Sequence, residues 1–573
     1  MKTNKNISKL VATAAMAVIA ATPSYAQSNL GAACGCPPVA SRPTVSLTTF
    51  PGTVLSTTAG AQGWELNNSV SLTCDKTYIL DAKIYVGDGK VISIQPGTVI
   101  KALAVATPSN ATALVIERGG QIIAAGTAAC PIVFTALADP MDGTYSIANK
   151  GQWGGIVMLG KASNNLTLAA NGPFVAGGSG KLAVADGLGT IEGFATTNKS
   201  DRYGANITGA VVAGEPAGAV AFDDNDNSGI LRYVSIRHSG AILAVGAEIN
   251  GLTLGSVGRG TSIENLEIIS CADDNIEFFG GTVNVKYVTT LFGNDDMFDY
   301  DLGWTGKAQF LFGMKGDLTF STDSDNGFEA DSDDNRSNNS PKSRPVIYNA
   351  TIVGNAKTAL TSDNSSIAAI NAKDATGGEI YNSIFANFKN GLNLIQAITA
   401  PRTANTESYH NWSTGAAYPF PQILKVKCNT FVGVTNPLTI ANATTAVSAG
   451  DNTQFLTTDL NTIVVGNTLP GFNYDFTVNT TTNLFTVKND VVPNPALSTA
   501  GCPVAPLDGF FVPAAYRGAF ASTGDNWLTN WSYSAFLGTT KGLVTCITDL
   551  DKDGDTDGDD FSIFAPVFGT SCQ

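Results

Sequence analysis

The chain is 573 residues long and carries 48 Asp and Glu against 33 Lys and Arg, a formal charge of −15 at neutral pH. That balance excludes nucleic acid as a partner, because phosphate backbones demand dense Lys and Arg, and it admits cations and neutral or basic ligands. Only 14% of residues are charged, against roughly 25% in ordinary globular domains; Gly, Ser, Thr and Asn fill the difference, as in exported proteins rich in strands and turns.

The first 26 residues read as a secretory signal peptide. Lys2, Lys5 and Lys9 precede an apolar run from Leu10, and Ser24-Tyr25-Ala26 fits a cleavage site before Gln27. Later in the chain no apolar run approaches the roughly 18 residues that a membrane-spanning helix needs. The expected location is therefore outside a bacterial cell, free or at its surface. Nine cysteines (34, 36, 74, 130, 271, 428, 502, 546 and 572) suit disulfides, and their odd number leaves at least one unpaired within the chain. Zinc is not expected: Cys34-Gly-Cys36 has the wrong spacing, and His238 and His410 are the only histidines.

Residues 27–63 are rich in Pro, Ser and Thr and read as a leader or cap. From residue 64 the chain turns to short apolar strands between Gly, Asn and Asp turns. One nine-residue pattern recurs: "ILRYVSIRH" from Ile230, "SIENLEIIS" from Ser262, "NVKYVTTLF" from Asn284, "VIYNATIVG" from Val346, "EIYNSIFAN" from Glu379 and "KVKCNTFVG" from Lys425. Its aliphatic anchors are Leu231, Ile263, Val285, Ile347, Ile380 and Val426, and the position two residues on is often Tyr or Asn. The 22 residues from Ile263 to Val285 make about one coil of a parallel β-helix. Repetition on this scale signals a solenoid, each unit burying its apolar face on its neighbours. A β-sandwich would give regular strand spacing but not the recurring Tyr and Asn.

The fold class predicted is all-β, a right-handed parallel β-helix over residues 64–540. An Asn/Thr-rich insertion is expected at about 435–500, and the aromatic run "FFVPAAYRGAFASTGDNWLTNW" is expected to cap the coil. The phrases "IQPGTVIKA", "GGQIIAAGTAACPIVFTA", "WGGIVMLG", "LRYVSIRHSG", "EINGLTLGSVGRGT" and "AYRGAFASTGDNW" resemble a family of large secreted bacterial β-helix surface proteins, from about Trp64 to Leu537. The resemblance implies fold and location and transfers no catalytic residue.

Between Cys271 and Arg336 the pairs Asp274/Glu277, Asp296/Asp299 and Asn326/Glu329 repeat an acidic spacing. Asp274 to Asp296 is again 22 residues, so Asp274, Asp296 and Asn326 should form one row and Glu277, Asp299 and Glu329 another. Stacked carboxylates about 4.8 Å apart need a cation, a shared proton or a ligand. They could be turn residues bonding their own backbone, a structural calcium site, or a glycan cleft with acid and base carboxylates. Polygalacturonases on this fold order Asp, Asp-Asp, His-Gly and Arg-x-Lys; here His238 precedes Asp295-Asp296 and no Arg-x-Lys follows. Pectate-lyase-like enzymes need a Lys or Arg beside carboxylate-bound calcium, and the candidates by position are Lys286, Lys307 and Arg336.

Residues 541–573 read as a small calcium module. Counted from Asp549, a twelve-residue loop places Asp549, Asp551 and Asp553 at positions 1, 3 and 5, Gly554 at the sharp turn, then Asp555, Asp557 and Asp560 at 7, 9 and 12. Phe561, Phe564 and Phe568 follow at helical spacing, and a Cys546–Cys572 disulfide would close the unit. The loop resembles a dockerin repeat, but there is one repeat rather than two and position 8 is Thr556, so cohesin binding is not expected. These features lead to an exported, calcium-stabilised β-helix protein in a non-enzymatic role. Adhesion, self-association and binding of a polysaccharide or cell-surface component are the activities expected of it. The alternative is a calcium-dependent polysaccharide lyase or glycoside hydrolase using Asp274, Glu277, Asp296, Asp299 and Glu329.

Overall fold

The computed structural model describes residues 30–539, apart from 56–62, 105–110, 169–181, 192, 245–246, 317–325, 333–339, 356–367, 374–375, 396–422, 442–451, 467, 475–489, 523–525, 530 and 538. The calcium loop, its flanking Cys546 and Cys572, Arg336 and His410 lie outside the described residues. Parallel strands stack into a broad sheet of 17 strands and a narrower one of 12. Successive coils give a long strand to the broad sheet and a shorter one to the narrower: Gly229–Arg237 then Leu252–Gly255, Ser262–Ile269 then Ile276–Phe279, Asn284–Leu291 then Phe298–Asp301. This is a parallel β-helix.

The repeat anchors stack in register, Leu231 on Ile263, Val285, Ala308, Ile347, Ile380 and Val426. All seven are buried, which is why the pattern insists on aliphatic residues there. The Tyr or Asn two residues later has a different cause. Tyr233, Asn265, Tyr287, Phe310, Asn349, Asn382 and Cys428 all adopt φ between 50° and 58°, turning the long strand through a left-handed corner. Such a corner costs a non-glycine residue roughly 1–2 kcal/mol. Packing offsets it: Tyr287 stacks on Phe310 at 5.0 Å and meets Trp527 edge-on at 5.5 Å.

The described residues of 502–522, 526–529 and 531–537 run along the outer face of the broad sheet, which is where the aromatic segment sits. Lys286 Nζ donates to the Phe510 carbonyl at 2.8 Å, and Gln309 exchanges two hydrogen bonds with the Val512 backbone at 2.8 and 2.7 Å. Asn349 donates to Tyr516 O, Asn382 to Pro503 O, and the buried Glu267 carboxylate accepts from the Tyr533 and Ser534 amides. Cys428–Cys502 tethers this strap, while Cys34–Cys130 and Cys36–Cys74 fasten the N-terminal segment; Cys271 is free and buried. Asn436–Ala441 and Thr462–Val464, within the stretch read as an insertion, each add a rung to a sheet.

A larger excursion leaves the coil between Leu159 and Gly229. Leu182–Ala185, Leu188–Thr190 and Arg202–Gly204 pair into an antiparallel sheet. It covers part of the narrower sheet's outer face through an apolar cluster that includes Val115, Val157, Phe194, Tyr203 and Phe279. The strand Arg202–Gly204 is not evident from the sequence, because its pairing partner Leu188–Thr190 lies across a polar stretch with little periodicity. Among the described residues no helix is long and apolar enough to cross a membrane.

Candidate functional site

The two acidic rows occupy different environments. Asp274, Asp296 and Asn326 stand at the turn into the narrower sheet, each one coil above the last. Asp274 Oδ1 accepts the Asp296 amide at 2.8 Å, Asp296 Oδ1 the Asn326 amide at 2.6 Å, and Asn326 Oδ1 the Ala368 amide at 3.0 Å. This ladder satisfies backbone N–H groups that the turn would otherwise bury unpaired.

The second row lies on the strands themselves. Thr253, Glu277, Asp299, Glu329, Asn371, Asn393 and Thr439 align in one register. Their strand neighbours Ile276, Phe278, Phe298, Tyr300 and Phe328 fill the core, so by the two-residue alternation of a strand this row points outward. Asn393 donates to Asn371 at 2.8 Å and Thr439 to Asn393 at 2.7 Å, and Asn371 Nδ2 lies 3.5 Å from Glu329 Oε1.

Two residues further along each strand a third row appears: Asp301, Asp331 and Lys373. Lys373 Nζ lies 2.9 Å from Glu329 Oε1 and 4.0 Å from Asp331 Oδ2. Among the described residues, Lys373 thus brings a basic group to this face from the coil after Glu329. Of the three candidates by position, Lys286 and Lys307 instead face the strap on the broad sheet, where Lys307 pairs with Asp508. The signal was present as a two-residue alternation, "FDYD" at 298–301, "FEAD" at 328–331 and "INAK" at 370–373. A long intervening stretch hid the alignment of the last.

The rows meet at one point. Carboxylate oxygens of Asp274, Glu277 and Asp299 lie within 4.8 Å of one another, and so do those of Asp273, Asp274 and Asp295. Burial, and then the charges of Asp273, Asp295, Asp299 and Asp296, push the Asp274 carboxyl well above the usual carboxylate range. Oxygens bound to one calcium ion at 2.3–2.6 Å stand at most about 5 Å apart, so the donor type and spacing of Asp274, Glu277 and Asp299 fit a hard divalent cation. Asn250 Nδ2 donates to Glu277 Oε2 and fixes that carboxylate. His238 is not part of the site. It sits at a left-handed corner, buried, bonded through Nδ1 to Asn149 O at 2.6 Å, and burial lowers its pKa to about 4.

Residues 64–192 and 183–458 match the family described as "Pectate-lyase like beta helix domain", and the chain belongs to it. Among solved structures, it is similar to the crystal structure of pectate lyase Pel9A, at 14% identity and a TM-score of 0.33, over 76% of this chain and 89% of that one. No curated protein sequence matches.

Proposed function

We propose that the protein is exported and cleaves an acidic polysaccharide by elimination on the outer face of the narrower sheet. The observation that carries this reading is Lys373, held 2.9 Å from Glu329 on the face that also bears the Asp274, Glu277 and Asp299 cluster. The family's pectate-lyase-like description supports it. Asp274, Glu277 and Asp299 would hold the cation, calcium by its preference for oxygen donors. When bound, the cation neutralises a sugar carboxylate and so acidifies the neighbouring C–H. Lys373, in its neutral form and released from Glu329 as substrate binds, would be the base that takes that proton as the adjacent C–O bond breaks and a C=C bond forms. Further along the row, half-buried Thr439 is the hydrogen-bonding group within reach of a sugar hydroxyl, while Asn371 and Asn393 are buried beneath it. Three carboxylates gathered on one face suit a cation better than the opposed acid and base of a hydrolase, which must flank the scissile bond.

A second reading, non-catalytic glycan binding, is favoured by the ion-paired state of Lys373, which a proton-accepting base would have to leave. One assay separates the two. Pectate, alginate and a neutral glucan are incubated with the protein in calcium or in chelator, and unsaturated product is read by absorbance. Product from an acidic polymer, lost in chelator and in Lys373→Ala, supports elimination. Retention on a polymer without product makes the protein a binder. The Asp549–Asp560 loop we read as a separate calcium-held tail; Asp549→Ala/Asp553→Ala should remove one calcium from the stoichiometry, and an unchanged count would sink that reading.

A further inference from the structure

A cleft of about 410 Å³ opens between the inserted sheet and the end of the strand Ala113–Ile116, lined among others by Glu117, Arg118, Lys161, Lys199, Asn206 and Glu215. Cations are scarce in this chain, yet three converge here from separate segments. Glu215, buried in the wall, engages two guanidiniums: Arg118 at 2.6 Å and Arg202 at 3.1 Å. Lys199 is exposed, and Lys161 stands 3.9 Å from Asp88 at the mouth. The walls hold two acceptors that are out of place in a finished interior. Glu117 Oε1 and Asn206 Oδ1 are buried without a hydrogen-bond partner among the described residues, on residues 9% and 1% exposed, with the Ser200 side chain beside the Glu117 carboxyl. Buried oxygens of this kind are ordinarily paired, and a ligand rich in hydroxyl donors would pair them.

Position adds to the chemistry. The strand Ala113–Ile116 stands three rungs from Ile276–Phe279 and six from Ala368–Ala372 in the narrower sheet. At about 4.8 Å per rung these are roughly 14 and 29 Å along the solenoid. A chain of sugars lying along the axis would reach from the acidic rows to the cleft.

We propose that this cleft is a second saccharide-binding site, taking one carboxylate-bearing sugar unit with Lys161 and Lys199 on its carboxylate and Glu117, Asn206 and Glu215 on its hydroxyls. That the sugar belongs to the polymer cleaved on the acidic rows rests on the function proposed above; the binding itself does not. Glu117 is suited to such contact because burial raises its pKa to about 7, so its carboxyl can donate as well as accept near neutrality.

The test is calorimetric titration of the full-length protein with a galacturonate hexamer, in chelator so that the acidic cluster is without its ion. Binding is expected, weakened at least tenfold in Lys161→Ala/Lys199→Ala, whose side chains are on the surface and leave the core intact. Absence of binding in chelator, or equal binding by the double variant, overturns the site. A glucose hexamer bound as tightly overturns the carboxylate assignment. Failure of the elimination reading shows separately, as wild-type protein that binds the hexamer in chelator yet yields no unsaturated product from polymer.

Discussion

On the broad sheet, one outward row reads Arg232, Glu264, Lys286, Gln309 and Tyr348; on the narrower sheet the corresponding row reads Glu277, Asp299 and Glu329. The first alternates in sign and ends in neutral residues, and its lysine and glutamine hold the backbone of the chain's own strap. In the second, charges of one sign sit one above another. At strand spacing and an effective dielectric of about 20, neighbouring carboxylates repel by roughly 3 kcal/mol. The same repeat thus produces one face tied to the chain's own strap and one face where carboxylates of one sign stack, the arrangement on which the proposed cation site rests.

The largest effect expected is on that second face. Lys373→Ala should lower elimination activity by about 10²- to 10⁴-fold, the usual contribution of a positioned base, with thermal unfolding unchanged. Wild-type activity in the variant would leave the face as a binding surface. On the first face, Cys502→Ser should release the strap from Cys428 and lower stability by roughly 2–4 kcal/mol in denaturant unfolding. If stability is unchanged, the strap is held by its backbone hydrogen bonds, and the contrast between the faces sharpens.

A third expectation concerns pH. Glu117 is raised from 4.5 to about 7, chiefly by burial, so the folded state favours its neutral form. Stability from this group is full below the unfolded value and is lost as pH rises through about 7. The shift of some 2.5 units corresponds to about 3 kcal/mol at most. Glu117→Gln should flatten the stability profile between pH 4.5 and 7, measured by urea unfolding. Were the profile unchanged, Glu117 would be more solvated than its place under the insertion implies.

Much of this was legible in the residues, and the limits have physical causes. The solenoid was readable because Leu231, Ile263 and Val285 obey one constraint, burial against the coil above and below. The Tyr and Asn positions were readable as a pattern but not as a cause, since a left-handed φ leaves no unique residue signature once packing can offset it. The rows align as read, from Asp274 to Asp296 across an equal coil and on to Asn326 and Glu329 across a longer one, because the Asp/Asn-x-x-acid spacing repeats there. Lys373 escaped because the coil before it is longer still and "INAK" carries no such spacing. The strap's position against Lys286 and Gln309 was invisible because those contacts span more than 200 residues.

The smallest effect tests whether Asp296, next to Asp274 in the turn row, belongs to the site as well. Asp296 accepts one backbone amide and lends another to Asp274, and Asn326 does the same work one coil on without a charge. Asp296→Asn keeps the acceptor oxygen and removes one of the charges that push up Asp274, so stability should change by less than about 1 kcal/mol. Asp296→Ala strands the Asn326 amide and should cost about 1–3 kcal/mol. If the row is only a ladder, Asp296→Asn retains full activity and full calcium affinity. Loss of activity in Asp296→Asn, with stability intact, would move Asp296 from the turn into the cation site beside Asp274.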